Sequence, residues 1–369
     1  MTHSERLVSL DALRGLTILS MIIVNNPADW STVFKPLLHA DWAGCSPTDL
    51  IFPFFLYITG FSLYISIRRR TQKGASKNSL FRHLLVRSLV IFGIGLFLNA
   101  FPFTNLDNLR ILGVLQRIAL VNLAVGTLMI YSSQKSRWFI GALFLMSYWI
   151  LLQYIPSPIA SVPSLAYEDN WVAWLDQAVL GSHTWDYMPL MDPEGILSTL
   201  PAIVTGLIGL EIASFFTKIH DKKEKIILLF ITGFIMTIAG IAWSSVFPMI
   251  KKLWTSSYVL YTVGLATWTL GFFYWLADFR EKKKYLRLLV AYGSNPLAIY
   301  AGSGLLVMIL GLIPVFGNPP VTLNSWIYRL LCESGIEARI ASLVWPIILV
   351  LVWGWIALIL HKKKIFIKI

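Results

Sequence analysis

The chain has 369 residues, of which 56% are hydrophobic and only 14% are charged. Its mean hydropathy is +0.68, and these values exclude an ordinary soluble domain. The net charge of +12 is compatible with nucleic-acid binding. The basic residues, however, lie in short loops between apolar runs, where they typically set the orientation of membrane helices. We therefore predict a membrane protein that binds no nucleic acid.

Apolar runs long enough to cross ~30 Å of hydrocarbon at ~1.5 Å per residue occur about ten times. The predicted fold class is all-α, a polytopic membrane helix bundle of about ten transmembrane helices. The first run should remain as a helix, because Asp11 and Arg14 interrupt its start and no small-x-small cleavage site follows. No linker, repeat or composition shift divides the chain, so residues 1–369 are predicted to form one domain. The predicted spans are 8–26, 49–67, 84–101, 111–131, 138–155, 196–216, 226–247, 256–276, 288–313 and 341–360.

The basic residues predict the orientation of these spans. If the N-terminus is cytoplasmic, most of the 31 lysines and arginines fall on the cytoplasmic side. The positive-inside rule then places both termini in the cytoplasm. The two longest loops, about 27–48 and 156–195, lie on the other side, and long loops often carry function. Basic residues on that outer side are few: Lys35, Arg110, Lys251, Lys252, Arg329 and Arg339.

Two of the six histidines, His39 and His183, face outward in this topology. His39 lies in a short polar stretch between two apolar runs, where an imidazole can act as a base at neutral pH. His183 is either a solvated loop residue or a substrate contact, and the sequence leaves both readings open.

Several motifs occur in an order that closely resembles the heparan-alpha-glucosaminide N-acetyltransferase family and its bacterial relatives. The resemblance covers essentially the whole chain, and the ordered set is more specific than any one motif. The matching segments are Ser9-Leu10-Asp11-Ala12-Leu13-Arg14-Gly15-Leu16, Val24-Asn25-Asn26, His39-Ala40-Asp41-Trp42-Ala43-Gly44, Thr48-Asp49-Leu50-Ile51-Phe52-Pro53-Phe54-Phe55, Ile111–Arg117, Asp192–Thr199, Lys252–Tyr258 and Gly293-Ser294-Asn295-Pro296.

This resemblance implies a membrane acetyltransferase that moves the acetyl group of cytosolic acetyl-CoA to a glucosamine-type amine across the membrane. It implies that His39 is the active-site histidine and that Asn25 is the polar residue ending the first span. Lysosomal members carry an extra leading helix, so a ten-span chain suits a bacterial inner membrane, with the acceptor sugar or glycan on the periplasmic side. A homodimer remains open.

The chemistry of amine acetylation also favours His39. An ammonium must lose a proton before its nitrogen can attack a thioester, and imidazole is well suited to accept that proton. The same imidazole could instead carry the acetyl group transiently. Asn25 could donate to the oxyanion or cap the first helix. Asp41 could orient the imidazole or point away from it, and Asp49 could act in catalysis or cap the second span.

Three residues are candidates for binding acetyl-CoA. Arg14 can contact the ligand or pair with Asp11 three residues earlier. Arg117 lies deep in the fourth span, where an unpaired guanidinium is costly, so it should meet a carboxylate or a ligand phosphate. Asn295 precedes a helix-breaking proline and lines either a cavity or a packed kink.

Four outer residues are candidates for binding the acceptor: Trp42, His183, Asp192 and Glu194. The two carboxylates have the charge to attract an amino-sugar cation, although they could equally complement the dipole of the sixth span.

The two cysteines form no metal-ligand cluster, and no metal site is predicted. Cys45 is not favoured as a nucleophile, because the chemistry already has a base. A disulfide between Cys45 and Cys332 stays open, since both face the oxidising side. The main rival function is an amino-sugar or oligosaccharide transporter, which ten spans with a broken ninth helix would also suit. A non-catalytic scaffold is disfavoured by the cluster of polar residues.

Overall fold

The computed structural model describes residues 7–104, 106–316 and 321–367. Most of them are helical, and β1 (Pro314–Phe316) and β2 (Val321–Thr322) form one short antiparallel hairpin. The helices are α1 (Val8–Asn25), α2 (Ile51–Gln72), α3 (Lys77–Ala100), α4 (Val114–Tyr131), α5 (Gln134–Tyr154), α6 (Trp171–Leu180), α7 (Thr199–Lys218), α8 (Lys222–Ser244), α9 (Ser256–Tyr274), α10 (Arg287–Ser294), α11 (Pro296–Leu312), α12 (Leu323–Glu333) and α13 (Ala338–Lys362).

Within the described residues, eight helical segments are long and apolar enough to cross a membrane. The broken helix made by α10 and α11, bent by 72°, gives a ninth if it is counted as one span. The helix α5 occupies the fifth predicted span with 21 residues but lies outside that set, because it begins with the polar residues Gln134, Lys135 and Arg137. The prediction of an all-α polytopic helix bundle is therefore confirmed, with eight or nine clear spans where about ten were expected.

The chain forms two compact units. Unit 1 consists of Met1–His39, Ser46–Ile51 and Phe272–Ile369, and unit 2 consists of Ala40–Cys45 and Phe52–Gly271. A single domain for the whole chain stays a prediction.

In unit 1, helices α1 and α10 approach each other at two glycines. A Cβ atom on Gly15 would lie 1.7 Å from the carbonyl oxygen of Leu289, and one on Gly293 would lie 1.8 Å from that of Asp11. No larger residue fits such a contact, and small residues are what allow helices to pack closely in lipid. The contact brings the α1 side chains against the backbone at the end of α10.

In unit 2, α7 is the central helix. In its most apolar stretch 83% of the residues are buried, whereas the figure is 28% for α3 and 17% for α8. The exposed surfaces of α3 and α8 are rich in large apolar side chains such as Leu89, Ile231 and Phe234. Surfaces of this kind are stable against lipid hydrocarbon and would aggregate in water. We assign them to the lipid-facing side of the unit.

The long loop after α5 is a folded layer with its own core. Tyr148 and Leu152 from α5 pack with Val172 from α6 and with Met191 and Phe247. The side chain of Asn170 caps α6 by accepting hydrogen bonds from the backbone N–H groups of Val172 and Ala173, which satisfies two of the helix's unpaired donors. This layer fixes the positions of the acidic residues that follow it.

Candidate active site

The side chain of His39 is bound to a buried carboxylate in unit 1. Its Nδ1 atom lies 2.7 Å from Oδ1 of Asp49. The Asp49 side chain is fully buried, whereas the His39 side chain is 45% exposed. The pair therefore joins an anchored acid to an imidazole that solvent can reach.

Asp49 is held in place by the turn that precedes α2. This 3-10 turn runs Pro47–Leu50 and follows Ser46. The backbone N–H and the hydroxyl of Ser46 donate to Oδ2 of Asp49 at 2.9 and 3.0 Å. The hydroxyl of Thr48 donates to the carbonyl oxygen of Pro36 at 3.1 Å, which ties the turn to the segment that carries His39. Both carboxylate oxygens are therefore occupied, and the acid cannot rotate freely.

This geometry determines how the imidazole can act. A carboxylate next to Nδ1 favours the tautomer with its hydrogen on Nδ1, which places the lone pair on Nε2. The buried negative charge also stabilises the imidazolium that forms when Nε2 takes a proton. His39 and Asp49 thus have the arrangement of a general base and its orienting acid. A catalytic function of Asp49 stays a prediction, which its hydrogen bond to His39 supports. The hydrogen bonds from Ser46 also fit a capping function.

Asn25 is the last residue of α1 and is exposed. Its neighbour Asn26 carries the capping contact, because Nδ2 of Asn26 donates to the carbonyl oxygen of Ile22 at 2.8 Å. Within the described part of the chain, the amide of Asn25 makes no hydrogen bond. The amide of Asn25 is thus available to a ligand, as an oxyanion donor must be.

Arg14 and Asn295, both in unit 1, have partners within the protein. Arg14 forms the expected pair with Asp11, at 2.9 Å between Nη1 and Oδ1, and also donates to the carbonyl oxygen of Gly293 at 3.2 Å. Asn295 donates to the carbonyl oxygen of Ile365 and accepts from the N–H of Ile367, at 3.0 and 2.7 Å. In this structure both side chains stabilise unit 1, and their binding to acetyl-CoA remains a prediction.

Trp42 and Asp41 belong to unit 2. The indole N–H of Trp42 donates to the carbonyl oxygen of Leu165 at 3.0 Å, and its ring meets Tyr167 edge-on. The ammonium of Lys252 lies 5.5 Å from the Trp42 ring centre and donates to the main-chain oxygen of Asp41 at 2.8 Å. Trp42 is therefore fixed in orientation, as a residue that stacks against a sugar must be.

Asp192 and Glu194 form a buried ion cluster with Arg110 in unit 2. Arg110 binds Asp192 through two parallel hydrogen bonds of 2.7 Å and Glu194 through one of 2.6 Å. The Nδ1 atom of His183 donates to the carbonyl oxygen of Leu109, next to this arginine, at 2.8 Å. The two carboxylates are thus already neutralised in part, which weakens the attraction they offer to a cationic sugar.

Arg117 is fully buried in unit 2. Its Nη2 atom donates to Ser198 and to the carbonyl oxygen of Gly195, and its guanidinium lies 5.1 Å from the Trp254 ring centre. Within the described residues, its Nε and Nη1 atoms have no hydrogen-bond partner. A buried charged group with unused donors is costly, so this residue is well suited to bind an acceptor oxygen of a ligand.

Asp176 in α6 is the acid that organises this region. Its two oxygens accept from the backbone N–H groups of Asp192 and Ile196 at 3.0 and 2.9 Å. Burial raises the pKa of Asp176 to about 6, although these two donors oppose that rise. A Cβ atom on Gly195 would lie 2.0 Å from Oδ2 of Asp176. The close fit shows why glycine is required there.

The raised pKa predicts a pH dependence of stability. Because the folded pKa of about 6 lies above the ordinary 3.8, the folded chain binds this proton more tightly than the unfolded chain between those values. This stabilisation is complete below about pH 4 and is lost as the pH rises through 6. The melting temperature of the wild type should therefore rise, relative to that of Asp176→Asn, as the pH falls from about 7 to 5. Thermal unfolding in detergent measures this, with the exposed Asp186→Asn as control. Equal pH slopes for the wild type and Asp176→Asn would contradict it.

Ser46 and Arg110 are site residues that the sequence reasoning did not single out. The spacing of Ser46 and Asp49 matches a capping box, a signal that could have identified Ser46. The sequence indicates Arg110 only as an outer basic residue, because nothing local connects it to Asp192 and Glu194, which lie 82 and 84 positions away. Within the described residues, neither Cys45 nor Cys332 takes part in a disulfide.

Comparison with known proteins gives the family. A family model described as heparan-alpha-glucosaminide N-acetyltransferase, catalytic, matches residues 6–226. The chain is 25% identical over 423 aligned residues to heparan-alpha-glucosaminide N-acetyltransferase of Mus musculus, covering 100% of the chain and 61% of that protein. It is 24% identical to the Homo sapiens protein over 99% of the chain and 60% of that protein. The chain thus spans about three fifths of the length of these relatives. Since the family model matches more than half of the chain, this multi-pass membrane protein belongs to the heparan-alpha-glucosaminide N-acetyltransferase catalytic family.

Proposed function

We propose that the protein is a membrane-embedded N-acetyltransferase that moves the acetyl group of acetyl-CoA to the amine of a glucosamine-type sugar. The observation that carries this proposal is the hydrogen bond between the half-exposed imidazole of His39 and the buried carboxylate of Asp49. The membership of an acetyltransferase family supports the choice of reaction. The proposed location is a bacterial inner membrane with the acceptor on the periplasmic side.

In the proposed reaction, His39 acts as general base. The nitrogen of the sugar amine attacks the thioester carbonyl carbon, and Nε2 of His39 takes the proton that the nitrogen loses as the C–N bond forms. The C–S bond then breaks, and the departing CoA thiolate takes the proton back from the imidazolium. Asp49 keeps its charge throughout, orients the ring and stabilises the imidazolium.

The tetrahedral intermediate carries a negative charge on the former carbonyl oxygen. We propose that the amide of Asn25 donates to that oxygen, which agrees with its exposure and with the capping contact made by Asn26. Losing one such donor typically slows acyl transfer by about 10²- to 10³-fold. Arg117, with two unused donors, is the proposed residue of unit 2 for binding an oxygen of acetyl-CoA.

The acetyl group could also rest on His39 before it reaches the amine. In that route Nε2 attacks the thioester, CoA leaves, and the amine then takes the acetyl group from the imidazole. Incubation with acetyl-CoA alone, followed by acid quench and mass spectrometry of the intact protein, separates the two routes. Direct transfer predicts no acetylated His39, whereas the stepwise route predicts one.

The experiment that tests the function uses purified protein in detergent, where no membrane divides the solution. Given labelled acetyl-CoA and glucosamine, the protein should form N-acetylglucosamine and release CoA in equal amounts, because transfer needs only both substrates at one site. A transporter would produce neither compound. Sugar uptake into proteoliposomes, together with no acetylated product in detergent, would replace the enzyme with a transporter.

A further inference from the structure

Unit 2 contains a cavity at the ends of four helices. A cavity of about 470 Å³ lies at the C-terminal ends of α2, α4 and α7 and the N-terminal end of α3. The charge distribution predicts that this end is cytoplasmic. Three basic side chains line the cavity: Arg68, Lys77 and Lys218.

The charges of these three residues are not neutralised by neighbours. Among the described residues that line the cavity there is no carboxylate. In the described part of the chain, none of the three forms an ion pair. Arg68 donates to the neutral hydroxyl of Thr217 at 2.5 Å, a contact that positions the guanidinium and leaves its charge uncompensated.

The carboxylate that Lys218 reaches through its hydrogen-bond chain already has a cationic partner. Nζ of Lys218 donates to the amide oxygen of Gln134 at 3.2 Å, and the amide nitrogen of Gln134 donates to Glu211 at 2.6 Å. Glu211 is buried and paired with Arg137 at 2.5 Å. The neutral amide therefore separates Lys218 from a carboxylate that another cation neutralises, so Lys218 keeps its positive charge for a ligand.

Part of the remaining wall of the cavity is aliphatic, and part of it is polar. The aliphatic wall includes Ile67, Leu80 and Ile130, and the polar residues are Tyr64, Thr71 and Gln72. A cavity lined by cations and by aliphatic side chains matches a molecule that carries a phosphate next to an apolar part. Basic pockets between membrane helices on the cytoplasmic side bind anionic headgroups in this manner.

We propose that this cavity is a binding site for a phosphate ester and that the phosphate belongs to the headgroup of an anionic phospholipid. Arg68 and Lys77 contact the phosphate oxygens, and the aliphatic wall contacts the glycerol and the first acyl carbons. The 3′-phosphate or diphosphate of a nucleotide has the same chemistry as the lipid phosphate. The experiment therefore measures the binding of a phospholipid and of a nucleotide separately.

Native mass spectrometry of the full-length protein in detergent measures the affinity for phosphatidylglycerol, phosphatidylcholine and 3′,5′-ADP. The wild type should bind phosphatidylglycerol more tightly than phosphatidylcholine. Arg68→Gln and Lys77→Gln should each weaken phosphatidylglycerol binding by about tenfold. Arg68→Lys should retain most of the binding, and Ala75→Trp should block it without changing the charge. Lys283→Gln, which removes a basic residue that does not line the cavity, should bind as the wild type does.

Comparing phosphatidylglycerol binding with 3′,5′-ADP binding shows whether the phosphate belongs to a lipid or to a nucleotide. If Arg68→Gln and Lys77→Gln weaken 3′,5′-ADP binding and leave phosphatidylglycerol binding unchanged, the phosphate site stands with a nucleotide as its ligand, and the lipid assignment is overturned. If both variants bind both ligands as tightly as the wild type, the site itself is overturned. None of these binding measurements depends on acetyl-transfer activity.

Discussion

His39→Ala should lose about 10²- to 10⁴-fold of the acetyl-transfer rate, the usual contribution of a general base. The imidazole is half-exposed, so its removal creates no cavity in a packed core and should leave the fold intact. The measurement is the initial rate of N-acetylglucosamine formation by purified protein in detergent, at saturating concentrations of both substrates.

The matched control for this variant is His220→Ala, which removes an exposed histidine just beyond the end of α7. It should keep the wild-type rate. Binding of acetyl-CoA, measured separately, should be similar in the wild type and in His39→Ala, because the lost group acts on the reacting amine. A His39→Ala protein that binds neither substrate and unfolds early would instead point to a structural function.

Asp49→Asn should also reduce transfer strongly, by on the order of a hundredfold or more, because an amide no longer fixes the tautomer or stabilises the imidazolium. The change keeps the size of the side chain, so the turn before α2 can persist. Its effect should fall on kcat, with little change in the KM for acetyl-CoA. The same steady-state assay measures both quantities.

Asp41→Asn is the matched control for Asp49→Asn. It is the same substitution at an exposed carboxylate, and the contact seen at Asp41 comes from its main-chain oxygen. It should change the rate by less than about twofold, as is usual for surface substitutions. Equal losses in the two variants would show that Asp49 has no special part in the reaction.

The fold class followed from composition, because long apolar runs can only be helices in a bilayer. The sequence contains ten such runs, whereas the described residues form eight or nine clear spans. The difference lies in α5, which begins at Gln134 and therefore includes the polar residues Lys135 and Arg137 that precede the predicted run 138–155.

The site was only partly predictable. His39 stood out because it is an ionisable side chain in a short polar stretch, a local property. Its contact with Asp49 depends on how the turn Pro47–Leu50 folds back. Sequence distance alone made Asp41 an equally reasonable orienting acid. The deciding hydrogen bonds come from Ser46, and they require a specific backbone geometry.

The other contacts could not be predicted because they join side chains to partners that are far away in the sequence. Asp192 and Glu194 have the charge to attract a cationic sugar, but both bind Arg110, which lies 82 and 84 residues before them in the chain. Pro296 indicates a break in the helix at Asn295, but it does not indicate the partners of the Asn295 amide, which are the backbone groups of Ile365 and Ile367. No local pattern indicates such partners, because packing brings them together only once the helices have assembled.

Chemical rescue tests the central claim most directly, since the account requires the imidazole of His39 and nothing else at that position. The measurement is the rate of N-acetylglucosamine formation by His39→Ala as free imidazole is added, after subtraction of the rate that imidazole gives without protein. We predict a slow reaction that imidazole accelerates to a plateau, with no such acceleration in Asp49→Asn. A His39→Ala protein that works at the wild-type rate and does not respond to imidazole would contradict the account.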